Sequence, residues 1–122
     1  METSPFFEVP QTASNNLAFA IRDSYPVSPG HSLVIPRRVI ASWDECTPEE
    51  QRALLELVSE VKQQLRDELH PDGFNIGVNE GAAAGQTVFH LHIHVIPRFT
   101  GDVPDPRGGL RHAVMGKGNW QA

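Results

Sequence analysis

Histidines and aliphatic residues alternate without a break along His90-Leu91-His92-Ile93-His94-Val95. A period of two is the signature of a β-strand with two unlike faces. The segment Val88 to Pro97 is therefore read as a strand that Pro97 closes. Leu91, Ile93 and Val95 belong to a core. His90, His92 and His94 form a row on the opposite face, about 6–7 Å apart. Such a strand belongs to a sheet that is covered on one side only, which antiparallel sheets allow and fully parallel ones do not.

What covers it is also legible. Thr47 is a good N-cap, Pro48 suits the first helical position, and Glu50 completes a capping box. Leu54, Val58, Val61, Leu65 and Leu69 recur at helical spacing, and Leu57 widens the stripe. Pro71-Asp72-Gly73 stops the run, so one helix is expected over Pro48 to His70, roughly 33 Å long. Further strands are expected at Leu17–Arg22, His31–Pro36 and Phe74–Asn79, with Asn75 and Asn79 on a polar face. Asp23–Gly30, Glu80–Gln86 and Asp102–Gly109 read as loops, and Met1–Asn16 as an irregular arm or short helical turn. A single long helix cannot supply the crossovers of a parallel sheet. The expected architecture is α+β, an antiparallel sheet with one long helix packed on it. The 122 residues suit one domain, expected over 1–105, with a tail over 106–122 wrapping the surface.

Composition removes several functions. A formal net charge of -5 argues against general nucleic-acid binding, which needs a basic face. The only cysteine, Cys46, excludes both a disulfide framework and a cysteine-built zinc site within the chain. The longest unbroken apolar run, Leu17 to Ile21, is too short for a membrane span, and nothing resembles a signal peptide; a cytoplasmic location is expected. Arg37 and Arg38 read as a solvated edge, His70 as a helix-end residue and His112 as exposed.

Two chemistries suit the histidine row. Imidazole can act as nucleophile, base or phosphate donor, and the small-residue loop Glu80 to Thr87 runs directly into the row, where backbone N–H groups can approach an anion. Alternatively, two of the histidines with a remote His31 can hold a metal, although no carboxylate lies close to the row in sequence.

The stretch Gly85-Gln86-Thr87-Val88-Phe89-His90-Leu91-His92-Ile93-His94-Val95-Ile96-Pro97-Arg98 resembles the signature of the histidine triad (HIT) superfamily. Ala18 to Asp23, Gly30 to Pro36 and Asn79-Glu80-Gly81 match further blocks of that family. The resemblance implies a HIT-type fold, a homodimer and a purine nucleotide substrate, with no metal or other cofactor required. It implies that His92 attacks the α-phosphorus to give a nucleotidyl-histidine, that His94 contacts phosphate and leaving group, and that His90 and His31 orient the nucleophile. Asp23 would hold the ribose, and Ile21 and Leu33, with Phe6 or Phe7, would wall the base. Asn79, Gln86, Thr87 and the Gly85–Val88 backbone would grip the phosphate. Gln-Thr-Val before the triad looks like the fragile-histidine-triad branch, whose substrates are dinucleoside polyphosphates. Asn79-Glu80-Gly81 and Asp23 look like the histidine-triad nucleotide-binding branch, which cleaves phosphoramidates. The expectation is a hydrolase of one of these substrates. A nucleotide-sensing module without turnover and a histidine-ligated metal hydrolase are the alternatives.

Overall fold

The structure is a computed structural model that describes residues 2–115, 117 and 118. Five strands form one sheet: β1 (Gln11–Ser14), β2 (Ala18–Arg22), β3 (Ser32–Pro36), β4 (Gly73–Val78) and β5 (Ile93–Arg98), in the order β1-β2-β3-β5-β4. Every neighbouring pair is antiparallel. One long helix, α1 (Pro48–Leu69), lies across β1, β2, β3 and β5. The expected α+β architecture is present.

Local sequence sets the helix ends. Thr47 Oγ1 accepts from Glu50 N–H at 3.1 Å while Glu50 Oε1 accepts from Thr47 N–H at 2.9 Å. At the far end His70 is a left-handed C-cap with φ 51°. Glu50, almost fully buried, also receives Arg38 through two contacts of 2.7 and 3.2 Å. Arg38 is thus tied to the helix start, not simply solvated, and the Arg38 hydrogen bond holds the Glu50 carboxyl below its ordinary range.

The two sheet faces carry different layers. Ala18, Ala20, Val34, Ile93 and Val95 pack against Leu54, Leu57, Val58, Val61 and Leu65 of α1. The small alanines of β2 bring the helix close. Phe19, Ile21, Leu33 and Ile35 point the other way, where a 3₁₀ turn over Pro5–Glu8 covers them with Phe6 and then Val9. Part of that second face is left open, and the site lies there.

β2 and β3 each begin one residue later than expected and α1 ends one residue earlier, at Leu69; other differences are larger or concern the site. The N-terminal arm contributes the edge strand β1, which its polar Gln11-Thr12-Ala13-Ser14 does not announce; the pairing with β2 is irregular between Gln11 and Ala13. β4 runs from Gly73 to Val78, one residue earlier than expected at each end. β5 begins only at Ile93 and runs through Pro97 to Arg98, so Pro97 does not close it; beyond Val95 the strand pairs with β4 alone, where a missing N–H is tolerated. Before Ile93 the chain leaves the ladder, because His90 Nε2 bonds the Pro36 carbonyl at 2.7 Å and Leu91 N–H donates to the Ile40 carbonyl at 2.6 Å. The alternation survives without the ladder: Leu91, Ile93 and Val95 are buried under α1. Of the tail, Gly109–Ala113 forms a 3₁₀ turn against β4, while 116 and 119–122 lie outside the described residues. No helix among the described residues is long and apolar enough to cross a membrane.

Candidate active site

A cavity of about 490 Å³ opens on the half-covered face. Ile21 and Leu33 form its sheet floor, with Phe6 and Val9 from the arm. Asp23, His31, His92 and His94 gather beside them. Asn79, Gly85, Thr87 and Val88 close the remaining side. All the expected site residues except His90 and Gln86 line this one space. Pro5, Val9, Ser24, Tyr25 and Val27 line it too. Sequence reasoning passed over Ser24, Tyr25 and Val27 because Asp23–Gly30 carries only turn signals, and over Pro5 and Val9 because the arm carries no regular pattern.

The β2–β3 connection places Asp23 and His31 together, since Asp23 N–H donates to the His31 carbonyl at 2.9 Å. Gly30 makes the tight return possible. Its φ is +82°, and a Cβ there would stand 2.6 Å from Leu69 Cδ1 and 2.8 Å from Leu65 Cδ2. The β3–β5 register, Leu33 opposite His94, then delivers the third group.

Hydrogen bonds to the backbone fix the imidazole tautomers. Val27 N–H can only donate, so His31 Nδ1, 3.2 Å away, accepts and the His31 proton sits on Nε2. That Nε2–H donates to His94 Nδ1 at 2.9 Å, which leaves the His94 proton on Nε2. Asp23 Oδ2 lies 3.4 Å from the same His31 Nε2. A carbonyl can only accept, so His92 Nδ1–H donates to the His90 carbonyl at 2.7 Å, and His92 Nε2 keeps its lone pair. His90 Nε2–H donates to Pro36 by the same logic.

Burial favours the neutral form of His31, His90 and His94. It pushes His94 down from 6.5 to about 4, helped by His92 and His31 and opposed by Asp23. Burial also lowers His31 against the pull of Asp23, and lowers His90 against its Pro36 hydrogen bond. The source of dehydration at His90 is visible: Phe6, Phe7 and Phe19 surround it at ring separations of 5.7, 5.5 and 6.4 Å. Phe6 also meets His92 edge-on at 5.0 Å.

His90 is therefore a support behind the cavity. Gln86 stands behind it too. Its Oε1 accepts from Gly81 N–H at 2.8 Å, and its Nε2 donates to the Ala41 and Val88 carbonyls at 3.0 and 3.3 Å. The amide expected to grip phosphate instead shapes the loop. The N–H groups of Gly85 and Gln86 also turn back into the loop, to the Ala82 and Gly81 carbonyls. The loop presents Gly85, Thr87 and Val88 to the cavity. Glu80 Oε1 ties its start to Trp43 N–H.

A metal would find its ligands differently from the sequence expectation. Asp23, His31 and His94 offer ligand atoms within 4.8 Å of one another, so a carboxylate is at hand after all, while His90 is committed to Pro36. The same His31 and His94 nitrogens are already joined by the 2.9 Å hydrogen bond.

Comparison with known proteins places these features in a group. The family described as HIT domain matches residues 10–101. The AP-4-A phosphorylase of Mycobacterium tuberculosis (strain ATCC 25618 / H37Rv) is 35% identical over 107 residues, covering 80% of this chain and 55% of the relative. The asymmetrical bis(5'-nucleosyl)-tetraphosphatase of Schizosaccharomyces pombe is 40% identical over 86 residues, 70% of this chain and 47% of the relative. A crystal structure of a HIT family member from Bacillus subtilis superposes with a TM-score of 0.75 at 29% identity, covering 99% of this chain and 81% of that one. The chain spans 62%, 55% and 60% of the length of three of the curated relatives it matches.

Proposed function

The chain belongs to the HIT family, and from that premise we propose that it is a nucleotide hydrolase. It cleaves at the α-phosphate of a dinucleoside polyphosphate or a nucleoside phosphoramidate through a nucleotidyl-histidine intermediate. The observation that carries this reading is the fixed tautomer of His92. Its Nδ1–H is held by the His90 carbonyl, so Nε2 is a lone-pair nitrogen on a ring that lines the cavity.

The cavity supplies the rest. Ile21, Leu33, Phe6 and Val9 offer an apolar slot for a purine. Asp23, whose Oδ1 accepts from Tyr25 N–H at 2.8 Å, retains acceptor capacity for ribose hydroxyls. Asn79, Thr87 and Val88 then meet the phosphate beside His92 and His94. His92 Nε2 attacks phosphorus, and the bond to the leaving group breaks with its electron pair passing to the leaving atom.

His94 changes role as the phosphate arrives. Neutral, it donates Nε2–H to a phosphate oxygen. One phosphate charge about 4 Å away, at an effective dielectric constant of about 20, favours imidazolium by roughly 4 kcal/mol, or roughly three pKa units. That carries His94 from about 4 to the neutral range. Protonation at Nδ1 displaces the His31 Nε2–H, for which Asp23 Oδ2 is the alternative acceptor. Imidazolium His94 gives a proton to a leaving amine. Water then attacks the histidine-bound phosphorus, the P–Nε2 bond breaks, and one water proton returns to His94. A phosphate leaving group departs without needing that proton.

Among the described residues β4 is an edge strand, and with the family resemblance that edge supports a homodimer. The test of function is His92→Asn. Turnover should fall by about a thousandfold or more while nucleotide binding and folding persist. Wild-type protein quenched during turnover should carry the nucleotide on His92. Substantial turnover by the variant, or inversion at a chiral α-phosphorus, would show direct attack by water.

A further inference from the structure

A second hollow, about 340 Å³, adjoins the first on the same face. The two share Val27, His31, Asn79 and His94, so the His94 ring stands in the partition between them. Beyond that partition the second hollow is walled by Val78 and Ile96 of the sheet and by Leu110 and Ala113 of the C-terminal 3₁₀ turn. Gly77 of β4 also lines it, and the Leu110 methyls sit over this glycine: a Cβ there would make ordinary contact, 3.7 Å from Leu110 Cδ2.

We propose that this groove receives the leaving group, and that Leu110 of the tail selects an uncharged, apolar organic group over a phosphate chain. The inference rests on the hydrolase reading above and decides between its two substrate classes. Continuity carries the first half: a nucleotide whose phosphate lies beside His92 and His94 has its scissile bond at the shared wall. The other side of that wall is the groove.

Charge carries the second half. Among the described residues, no Asp, Glu, Lys or Arg lines the groove. Arg98, further along β5, is clamped by Asp102 at 2.7 and 2.8 Å and by Asn75 at 2.6 Å. Arg111, on the same turn as Leu110, donates to the Gly118 carbonyl at 3.2 Å. A polyphosphate leaving group carries several negative charges and needs cations to replace its water. Leu110 is 58% exposed, and a ligand in the groove would cover it.

The purified full chain would be assayed with three substrates: unsubstituted adenosine 5'-phosphoramidate, its N-phenethyl derivative and diadenosine tetraphosphate. The phenethyl compound should have the highest kcat/KM. Leu110→Ala should lower the phenethyl-to-unsubstituted ratio about fivefold, because roughly half a leucine side chain of contact is lost. Leu110→Lys should raise the ratio of tetraphosphate to phenethyl turnover at least about tenfold, through a new cation at an exposed position that does not disturb folding. Equal effects on all three substrates, or none, would overturn the groove assignment while leaving the hydrolase reading intact. If the wild type turns over none of the three, the hydrolase reading fails and the groove assignment with it.

Discussion

Acidification should destabilise this fold well above the carboxylate range, and His94 sets the scale. Its folded pKa is about 4 against an ordinary 6.5, so between those values the unfolded chain binds the extra proton. Stability therefore rises with pH: it is complete above about 6.5 and is lost as pH falls toward 4. Integrating the two titrations from pH 7 to pH 5 gives a loss of roughly 2 kcal/mol from His94 alone. Near pH 5 the slope is roughly 1 kcal/mol per pH unit. Burial lowers His31 and His90 as well, which adds loss of the same sign. Glu50, Asp102 and Asp105 are all held below the ordinary carboxylate range by arginine hydrogen bonds, so they keep their charge above pH 5 and do not mimic the effect. Urea unfolding at fixed protein concentration, at half-unit steps from pH 7.5 to 5, measures the slope. His94→Asn should flatten it by most of one proton while leaving the His31 Nε2–H an acceptor. A wild-type stability that is level or rising on acidification, or a variant with the wild-type slope, would refute the buried neutral pair.

Other residues make separate demands. Asp23→Ala should raise KM about tenfold or more, since hydrogen bonds to a charged partner are worth roughly 1.5–3 kcal/mol; a 2′,3′-dideoxy analogue should bind wild type and variant alike, and a ribose substrate that shows no such difference contradicts the role. Gln86→Ala should cost roughly 2 kcal/mol in thermal or urea unfolding, because buried loop and Ala41 groups lose a partner, and should weaken substrate binding by loosening the Gly81–Val88 loop; a variant of unchanged stability would remove Gln86 as the organiser of that loop. Exhaustive chelation should leave hydrolysis intact, because His31 and His94 are bonded to each other. Activity lost on chelation and restored by zinc would instead place an ion on Asp23, His31 and His94.

Features set by neighbouring residues were the most legible. The α1 start follows from Thr47 and Glu50, three residues apart, and both capping bonds form. The in-and-out order of Leu91, Ile93 and Val95 needs only a two-residue period. Features set by distant backbone were not legible. The start of β5 depends on the Pro36 and Ile40 carbonyls, which capture His90 and Leu91. The task of Gln86 depends on the Ala41 carbonyl, 45 residues away. β1 is polar because it is an edge strand with one slightly covered residue, Ala13, so no hydrophobic pattern marks it. The closeness of Asp23 to the triad needed two facts at once, the β2–β3 return and the β3–β5 register.

The N-terminal turn touches both the cavity and the histidine row. Ser4 caps the turn, accepting from Phe6 N–H at 3.3 Å, and Phe6 emerges as a wall of the nucleotide cavity. The same ring lies against both His90 and His92. Withdrawing water from His90 disfavours its charged form, and the Pro36 carbonyl holds its Nε2–H. That bond anchors residue 90 outside the ladder, so its own carbonyl is positioned to receive His92 Nδ1–H. The tautomer of His92 thus depends on one backbone group, the carbonyl of a residue whose own ring lies under aromatic cover from the arm. A ring at Phe6 consequently serves two purposes that a single substitution cannot separate: removing it opens the base slot and wets the support of the nucleophile together. The histidine row is read in three alternate positions, but the aromatic cover over His90 comes from Phe6 and Phe7, more than eighty positions away.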